Sequence, residues 1–336
     1  MNIRSLTIWP PLLLAPMAGL THSALRTTLL HYGGVGLLST EMLSASRLPA
    51  ENERLSPYLM RTASERPLSY QLLVAGEEQV PAAISKLQSL GADCVDLNLG
   101  CPAPRVRRMG GGSCLMDDPS RVRRIVARCR RETTGPVSAK IRLGERFDAA
   151  SLRDFCVMLA DQGLDMLIVH ARLRRESFTR RPHWDWVGRI KQWVDIPVVA
   201  NGGIDSVEAA RLCLHQSGAD GLMIGRAAAT TPWIFAEIAH MVYGAEIPGA
   251  EVTLPGLYAT FVEALQRFPP ERRLGRLKEF THYFAKNYFF GHHLAAGVQS
   301  SQTFAEARSR AEAFFAANDD GENPSPLAGI RGVQAG

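Results

Sequence analysis

Short apolar runs alternate with longer stretches of mixed polarity from the N-terminus to about residue 240. Leu12–Ala15, Val35–Ser39, Leu68–Leu73, Cys94–Asn98, Val137–Ile141, Met166–Val169, Ile196–Ala200 and Gly221–Ile224 read as short buried strands. Helical signals fill the gaps. Ser23–Tyr32 stops at Gly33-Gly34, Glu77–Leu90 at Gly91, Ser151–Gln162 at Gly163, and Ser206–His215 ahead of Gly218. Glycine just past the last periodic residue is a helix C-terminal signal. Asp118 and Pro119 open another helix as N-cap and first helical residue. Leu152, Phe155 and Leu159 recur at helical spacing and give their helix one buried face. Eight strand-to-helix alternations over about 240 residues match an α/β (β/α)8 TIM barrel. A doubly wound open sheet is the alternative, but no G-x-G-x-x-G follows the first strand.

From about Glu251 the pattern is helical only. Leu254–Phe268, Arg272–Tyr288 and Thr303–Ala316 read as three helices, the first two parted by Pro269-Pro270. The expected organisation is a catalytic barrel over residues 1–245 and a small C-terminal all-helical domain over 250–317. A tail over 318–336, rich in Asp, Gly, Pro and Ser, reads as disordered.

Composition narrows the class. With 336 residues, 46% hydrophobic and 21% charged, the chain has ordinary globular proportions. It contains no apolar run long enough to span a membrane and no signal-peptide pattern at its start. Six cysteines are scattered with no C-x-x-C pair. That points away from a metal site or a disulfide framework and towards a reducing cytoplasm. The net charge is +5, carried almost wholly by Arg in clusters: Arg105–Arg108, Arg121–Arg131, Arg172–Arg181 and Arg272–Lys278. Such clusters are either solvated surface or phosphate neutralisers.

Candidate chemistry collects at strand ends, where a parallel barrel holds its active site. The fourth strand runs into Asp96-Leu97-Asn98-Leu99-Gly100-Cys101-Pro102, which places an amide and then a thiol on a loop. Cys101 is either a small buried hydrophobe or a reactive group. The glycine run Gly110–Gly112 lets the following loop fold back, and Arg clusters on both sides of this stretch favour an anionic substrate. The seventh and eighth strands end in Asn201-Gly202-Gly203 and Gly225-Arg226. These are either tight turns or a phosphate site, because glycines admit an anion to the backbone and Arg forks onto it. Lys140, within the fifth strand, needs a partner for its ammonium, and a reduced flavin offers one near N1 and O2. Gln71 can meet the pyrimidine edge of such a ring, Pro16-Met17-Ala18 can pass over it, and His170 is either a core histidine or a cofactor or substrate contact. Together these suit FMN. No acidic residue is placed to bind a nicotinamide ribose.

Several blocks occur in an order that resembles the tRNA-dihydrouridine synthases: Ala15–Thr21, Glu41-Met42, Asn98–Pro102, Lys140–Arg142, Val169–Arg172, Ala200–Ile204 and Met223–Arg226. The resemblance covers about Leu14 to Ile238 and continues more weakly into the C-terminal helices. It implies reduction of a uridine in the tRNA D-loop, at the elbow, to 5,6-dihydrouridine, with FMN as cofactor and NADPH or NADH as reductant. Hydride would pass from flavin N5 to uracil C6 and a proton from Cys101 to C5. Pro16, Met17, Ala18, Gln71, Lys140, His170, Asn201, Gly202, Gly203, Gly225 and Arg226 would contact FMN. Asn98, Arg105, Arg142 and Arg172 would meet the substrate, and Arg276, Lys278, His282 and Tyr283 of the helical domain would grip tRNA. A monomer is expected. The sequence departs from the family pattern at His22, where Asp is usual, at Leu173, where Thr is common, and at Gly203, where an acid is frequent.

The chemistry is consistent with these residues. An ordinary thiol ionises near ~8.5 and so holds a proton to give at neutral pH. A mobile glycine-bearing loop would close it over the base, and the uridine must leave its stack to be reached. Two other functions stand beside this one. A flavin barrel acting on a free pyrimidine, like the dihydroorotate dehydrogenases, would need neither the helical appendage nor the Arg clusters. A tRNA-binding protein without catalysis would have no use for Cys101 and Lys140.

Overall fold

A computed structural model describes residues 1–247 and 253–318. The expected tail beyond Asn318 lies outside the described residues. Two short strands, β1 (Asn2–Ile3) and β2 (Leu6–Thr7), pair antiparallel as a hairpin that the apolar pattern does not announce. Then comes one parallel sheet: β3 (Leu12–Leu14), β4 (Leu38–Ser39), β5 (Leu43–Ser44), β6 (Leu68–Leu73), β7 (Cys94–Asn98), β8 (Val137–Arg142), β9 (Met166–His170), β10 (Val198–Asn201) and β11 (Gly221–Ile224). β4 and β5 both pair with β6 and act as two pieces of one strand. β11 pairs with β3, and a bridge between Leu13 and Leu37 closes the ring. The result is the eight-stranded barrel.

The helices are α1 (Ser23–Tyr32), α2 (Val80–Ser89), α3 (Pro104–Arg108), α4 (Pro119–Glu132), α5 (Ala149–Asp161), α6 (Trp184–Lys191), α7 (Val207–Ser217), α8 (Ala227–Thr230) and α9 (Ile234–Tyr243), followed by α10 (Leu254–Leu265), α11 (Arg273–Phe284), α12 (Gly291–Ser300) and α13 (Phe304–Asn318). Local chemistry sets many of their ends. Asp118 accepts the Arg121 N–H at the start of α4, Ser206 accepts the Ala209 N–H at the start of α7, and Gly218 closes α7 in the left-handed conformation.

Three expectations fail here. The strand–helix alternation breaks between β5 and β6, where residues 45–67 hold only the 3-10 turn Leu48–Ala50. Pro49, Pro57 and Pro67 lie in that stretch and interrupt helical hydrogen bonding. The helix expected over Arg272–Tyr288 ends at Phe284, passing into a 3-10 turn at Ala285–Asn287. Beyond it α12 forms where the pattern predicts no helix, so the C-terminal region has four helices among the described residues, not three.

The barrel interior follows from the two-residue period of a strand. On β7 and β8 the odd-numbered residues face the helices and the even-numbered ones face the barrel axis. Val95, Leu97, Ala139, Ile141, Leu167 and Val169 pack outward against the helices. Leu13, Cys94, Met166, Ile168, Val199 and Met223 form a separate inner core, and Ile3 and Ile8 of the N-terminal hairpin plug its lower end. Continuing up the same inward rows brings Ser69 then Gln71, Asp96 then Asn98, Ser138 then Lys140 and Arg142, and finally His170 and Asn201. The interior is therefore apolar at the base and polar at the carboxyl-end mouth.

The helical region packs directly on the barrel, α10 against α1. Its core is aromatic: Phe261 stacks on Phe280 with centroids 3.7 Å apart, and Tyr258, Phe284 and Phe315 surround them. His22 enters between Phe261 and Phe268 with both ring nitrogens buried and unpartnered. Burial, reinforced by Arg276 and Arg26, drives its pKa well below the usual histidine range.

Candidate active site

Hydrogen bonds join the inward rows of β6, β7 and β8 into one network. Asp96, 3% exposed, accepts from Ser138 Oγ (2.6 Å) and Gln71 Nε2 (2.6 Å). Gln71 Oε1 accepts from Asn98 Nδ2 (2.7 Å), and Asn98 Oδ1 accepts the Cys101 N–H (3.0 Å). The backbone that carries the thiol is thus tied, through two amides, to a carboxylate inside the barrel. Burial raises the Asp96 pKa, and the bonds from Ser138 and Gln71 oppose that rise. Asp96 and Ser138 are not among the site residues that sequence reasoning picks out. Their signal is a polar residue at an inward position of an apolar strand. Gln71 has both ends of its amide engaged, so in this arrangement it props Asn98.

Lys140 faces Asn98 across the β7–β8 pair and donates to Asn201 Oδ1 (2.7 Å), while Asn201 Nδ2 donates to Met223 O (2.7 Å). Burial lowers the Lys140 pKa to about 8, against the pull of Asp96. Cys101 is close enough to act electrostatically on Lys140 and Arg142. His170 stands among Lys140, Arg142, Arg172 and Arg226, and burial with these four charges holds it neutral, far below its usual range.

The loop after β9 folds over this mouth. Arg142 Nη1 donates to Leu173 O (2.8 Å), and Arg172 donates to Phe178 O and Arg180 O. The two guanidiniums expected to meet a substrate therefore spend donors on holding the loop. Phe178, which no sequence signal marks, lies flat on His170 with centroids 5.7 Å apart and has Arg226 (4.8 Å) and Arg142 (5.5 Å) against its ring.

The Cys101 segment is packed, not an open loop. It folds into α3 and, after the glycine run, the 3-10 turn Gly112–Asp117, and the Ser113 N–H donates to Cys101 O (2.9 Å). Gly112 has φ +66°, and a Cβ there would fall 2.6 Å from both Cys101 O and Val106 Cγ1. Arg174, 7% exposed, reaches across from the β9 loop. It forks onto Asp117 (2.9 and 2.7 Å) and donates to Ser113 O (2.8 Å).

The turns Asn201–Gly203 and Gly225–Arg226 sit side by side at the ends of paired strands. Gly202 has φ +109°, and a side chain there would strike His170 and Arg172 within 3 Å. Ala15 and, from the Pro16–Ala18 stretch, Met17 lie next to Gly225, at the seam between β3 and β11. Outward of the mouth, a cleft of about 750 Å³ separates barrel from helical region, lined by Gly19, Glu41, Arg105, Arg272 and Arg276 among others. Glu41 takes the Gly19 N–H on one oxygen and leaves the other buried and without a partner, and burial raises its pKa. On α11, Arg276 and Tyr283 face the cleft and the mouth. The Lys278 ammonium is within electrostatic reach of Glu306 on α13, and His282, one turn on, shares its side of α11. The four residues expected to grip RNA are therefore not on one face.

The arrangement has excess positive charge at its mouth and one buried carboxylate below. Together with the glycine turns of β10 and β11 it fits an anionic, phosphate-bearing cofactor seated over Lys140. Among the described residues no cluster of His, Cys, Asp and Glu could hold a metal ion, and no helix is long and apolar enough to cross a membrane.

Comparison with known proteins gives concordant matches. The family model for dihydrouridine synthase (Dus) matches residues 13–323. A probable tRNA-dihydrouridine synthase 1 of Synechocystis sp. is 32% identical over 86% of this chain and 81% of its own length. A tRNA-dihydrouridine(16) synthase of Pseudomonas syringae pv. tomato is 36% identical over 82% and 90%, and a tRNA-dihydrouridine synthase B of the same organism 38% identical over 77% and 75%. Among solved structures, histamine dehydrogenase from Rhizobium sp. 4-9 superposes with a TM-score of 0.52 at 13% identity, over 72% of this chain and 47% of that one. A 2-naphthoyl-CoA reductase gives 0.53 at 10% identity, over 73% and 51%. These two likenesses are of fold alone, and the chain spans about half the length of either.

Proposed function

The chain belongs to the dihydrouridine synthase family, and from that premise we propose that it reduces the C5=C6 bond of a D-loop uridine in tRNA to 5,6-dihydrouridine. The cofactor in this reading is FMN, reduced in turn by NADPH or NADH. When bound, the reduced flavin supplies a hydride. Lys140 and Asn201 would hold its ring, His170 its flank, Gly202, Gly203, Gly225 and Arg226 its phosphate, and Pro16, Met17 and Ala18 its outer edge.

The chain's own contribution is a proton and a fixed geometry. Cys101 holds the proton for uracil C5. The network from Asp96 through Gln71 and Asn98 sets the thiol's height above the mouth, and the Ser113 N–H fixes its carbonyl. Lys140 would offer positive charge to the N1–O2 edge of the reduced ring, where negative charge sits. Arg142 and Arg172 act through the loop they hold, whose Phe178 covers His170 and narrows the approach of water. Arg105 and Arg276, on opposite walls of the cleft, would neutralise phosphates of an RNA entering between barrel and helices.

The observation that carries this reading is the link between the Cys101 backbone and the barrel's buried polar row, next to a buried lysine. A tRNA-binding protein without catalysis would have no need of it. The test is a dihydrouridine map of tRNA, by mass spectrometry of fragments, from cells with and without the gene. Loss at one D-loop position is the expected result. An unchanged map in a strain without a redundant homologue would overturn the proposal.

A further inference from the structure

Phe289 is 92% exposed and its neighbour Phe290 52% exposed, an adjacent pair of bare aromatic rings at the start of α12. Leaving two phenyl rings in water has a cost, and adjacent exposure of this kind marks a contact surface. The rings meet edge to face, 4.8 Å apart at 90°, so the pair does not hide its own faces by stacking.

The turn that presents them is built to be stiff. Asn287 Nδ2 donates to Thr230 O (2.6 Å) on α8 and to Phe284 O (2.8 Å), which pins the turn to the barrel next to the Gly225–Arg226 loop. The Gly291 N–H donates to Tyr288 O, and the His293 N–H to Phe290 O. A Cβ on Gly291 would lie 1.7 Å from Ala285 O, so no other residue fits there.

The surroundings are cationic and aromatic in alternation. Arg226 acts electrostatically on Tyr283, Lys286 holds its ammonium 5.3 Å from the Tyr283 ring centroid, and the two phenylalanines follow Lys286 in the chain, directly after Asn287 and Tyr288. His292 and His293 follow, each about 6 Å from Phe290. Cations that track a backbone, interleaved with rings that stack on bases, are the features of a single-strand nucleic-acid track. Two rings are far too little for a stable protein interface, which needs about 800 Å² on each partner.

We propose that Phe289 and Phe290 are a stacking platform that holds one unpaired base of the RNA, beside the barrel mouth. This rests on the tRNA reading above and adds to it a residue-level contact outside the catalytic site. It also gives a flipped-out loop a second anchor, so that the strand on one side of the target is held while the uridine enters the mouth.

The test compares Phe289→Ala, Phe289→Leu and Phe289→Tyr with the wild type, using an unmodified tRNA transcript. Both the kinetics of dihydrouridine formation and transcript affinity by fluorescence anisotropy are measured. Phe289 is exposed, so these variants should fold. Phe289→Ala should raise KM and Kd about tenfold, within the ~1–3 kcal/mol of one base–aromatic stack, with kcat within twofold. Phe289→Leu should behave like Ala, and Phe289→Tyr should restore wild-type values. A leucine variant equal to the wild type would overturn stacking in favour of a plain apolar contact. Unchanged affinity in all three would overturn the platform alone, with the enzyme reading intact. A wild type that makes no dihydrouridine but loses tRNA affinity with Phe289→Ala would overturn the enzyme reading alone. A dimer that dissociates on Phe289→Ala would assign the rings to self-association and overturn the proposal.

Discussion

Arg174 offers the sharpest quantitative test of how the Cys101 segment is held. Its guanidinium joins the β9 loop to the turn that carries Ser113 and, through the Ser113 N–H, the Cys101 carbonyl. The Asp117 side of the contact is 59% exposed, so the ion pair itself contributes about 1 kcal/mol or less. The bond to Ser113 O contributes more. Ser113 is fully buried, and a buried carbonyl left without its donor costs ~1–3 kcal/mol. Arg174→Met should therefore destabilise the turn by about 2 kcal/mol, an increase of ~30-fold in its loosened population. Turnover should fall, by up to the same ~30-fold factor, with flavin content unchanged, because Arg174 touches none of the residues assigned to the cofactor. Alkylation of Cys101, followed on its own peptide so that Cys114 does not interfere, should accelerate by up to the same ~30-fold factor. Arg174→Lys should fall between, since an ammonium cannot fork onto Asp117 while reaching Ser113. Turnover within twofold of wild type, together with unchanged alkylation in Arg174→Met, would refute the clamp.

Three other outcomes follow from the geometry. Cys101→Ala should leave the flavin bound and slow turnover by ~10²–10⁴-fold, the usual worth of a positioned acid; unchanged turnover would remove Cys101 from the mechanism. Lys140→Met removes a buried charge-assisted bond to Asn201, worth ~1.5–3 kcal/mol of stability, together with the positive partner proposed for the flavin ring, so flavin retention should weaken in equilibrium dialysis; unchanged retention would remove Lys140 from the flavin site. His22 and His170 are buried neutral and gain a proton on unfolding below about pH 6.5. Stability should therefore be full above that pH and fall beneath it, by up to ~1.4 kcal/mol per pH unit for each histidine. His22→Leu should remove about half of this slope in urea unfolding between pH 5 and 7; an unaltered slope would show that His22 is not held neutral.

The sequence by itself determined what depends on neighbours along the chain. The caps at Asp118 and Ser206 and the stop at Gly218 are one-turn interactions, and they stand where the residues place them. The apolar runs are real strands, and their count and spacing announce the barrel. The residue types at the strand ends, Cys101, Lys140, His170 and the glycine turns, were also legible, because a polar residue in an apolar run stands out without any fold. The breaks in pattern were not. Residues 45–67 replace a helix with turns, and α12 begins after an exposed aromatic pair that no periodicity marks.

What only the tertiary structure decided is which groups share a row and what each is bonded to. Barrel closure turns Ser69, Asp96, Ser138 and Lys140 inward together, whereas a strand read alone has two equivalent faces. Gln71 is a free amide in the sequence and a fully engaged prop in the fold. Arg142 and Arg172 are spare cations in the sequence and loop anchors in the fold. Arg174 meets partners 57 and 61 residues away, a contact no local pattern encodes. Hydrophobic periodicity is a property of consecutive residues, so the chain carries it. Hydrogen-bond pairing inside a closed barrel is a property of strands brought together from far apart, so only the closed ring assigns it.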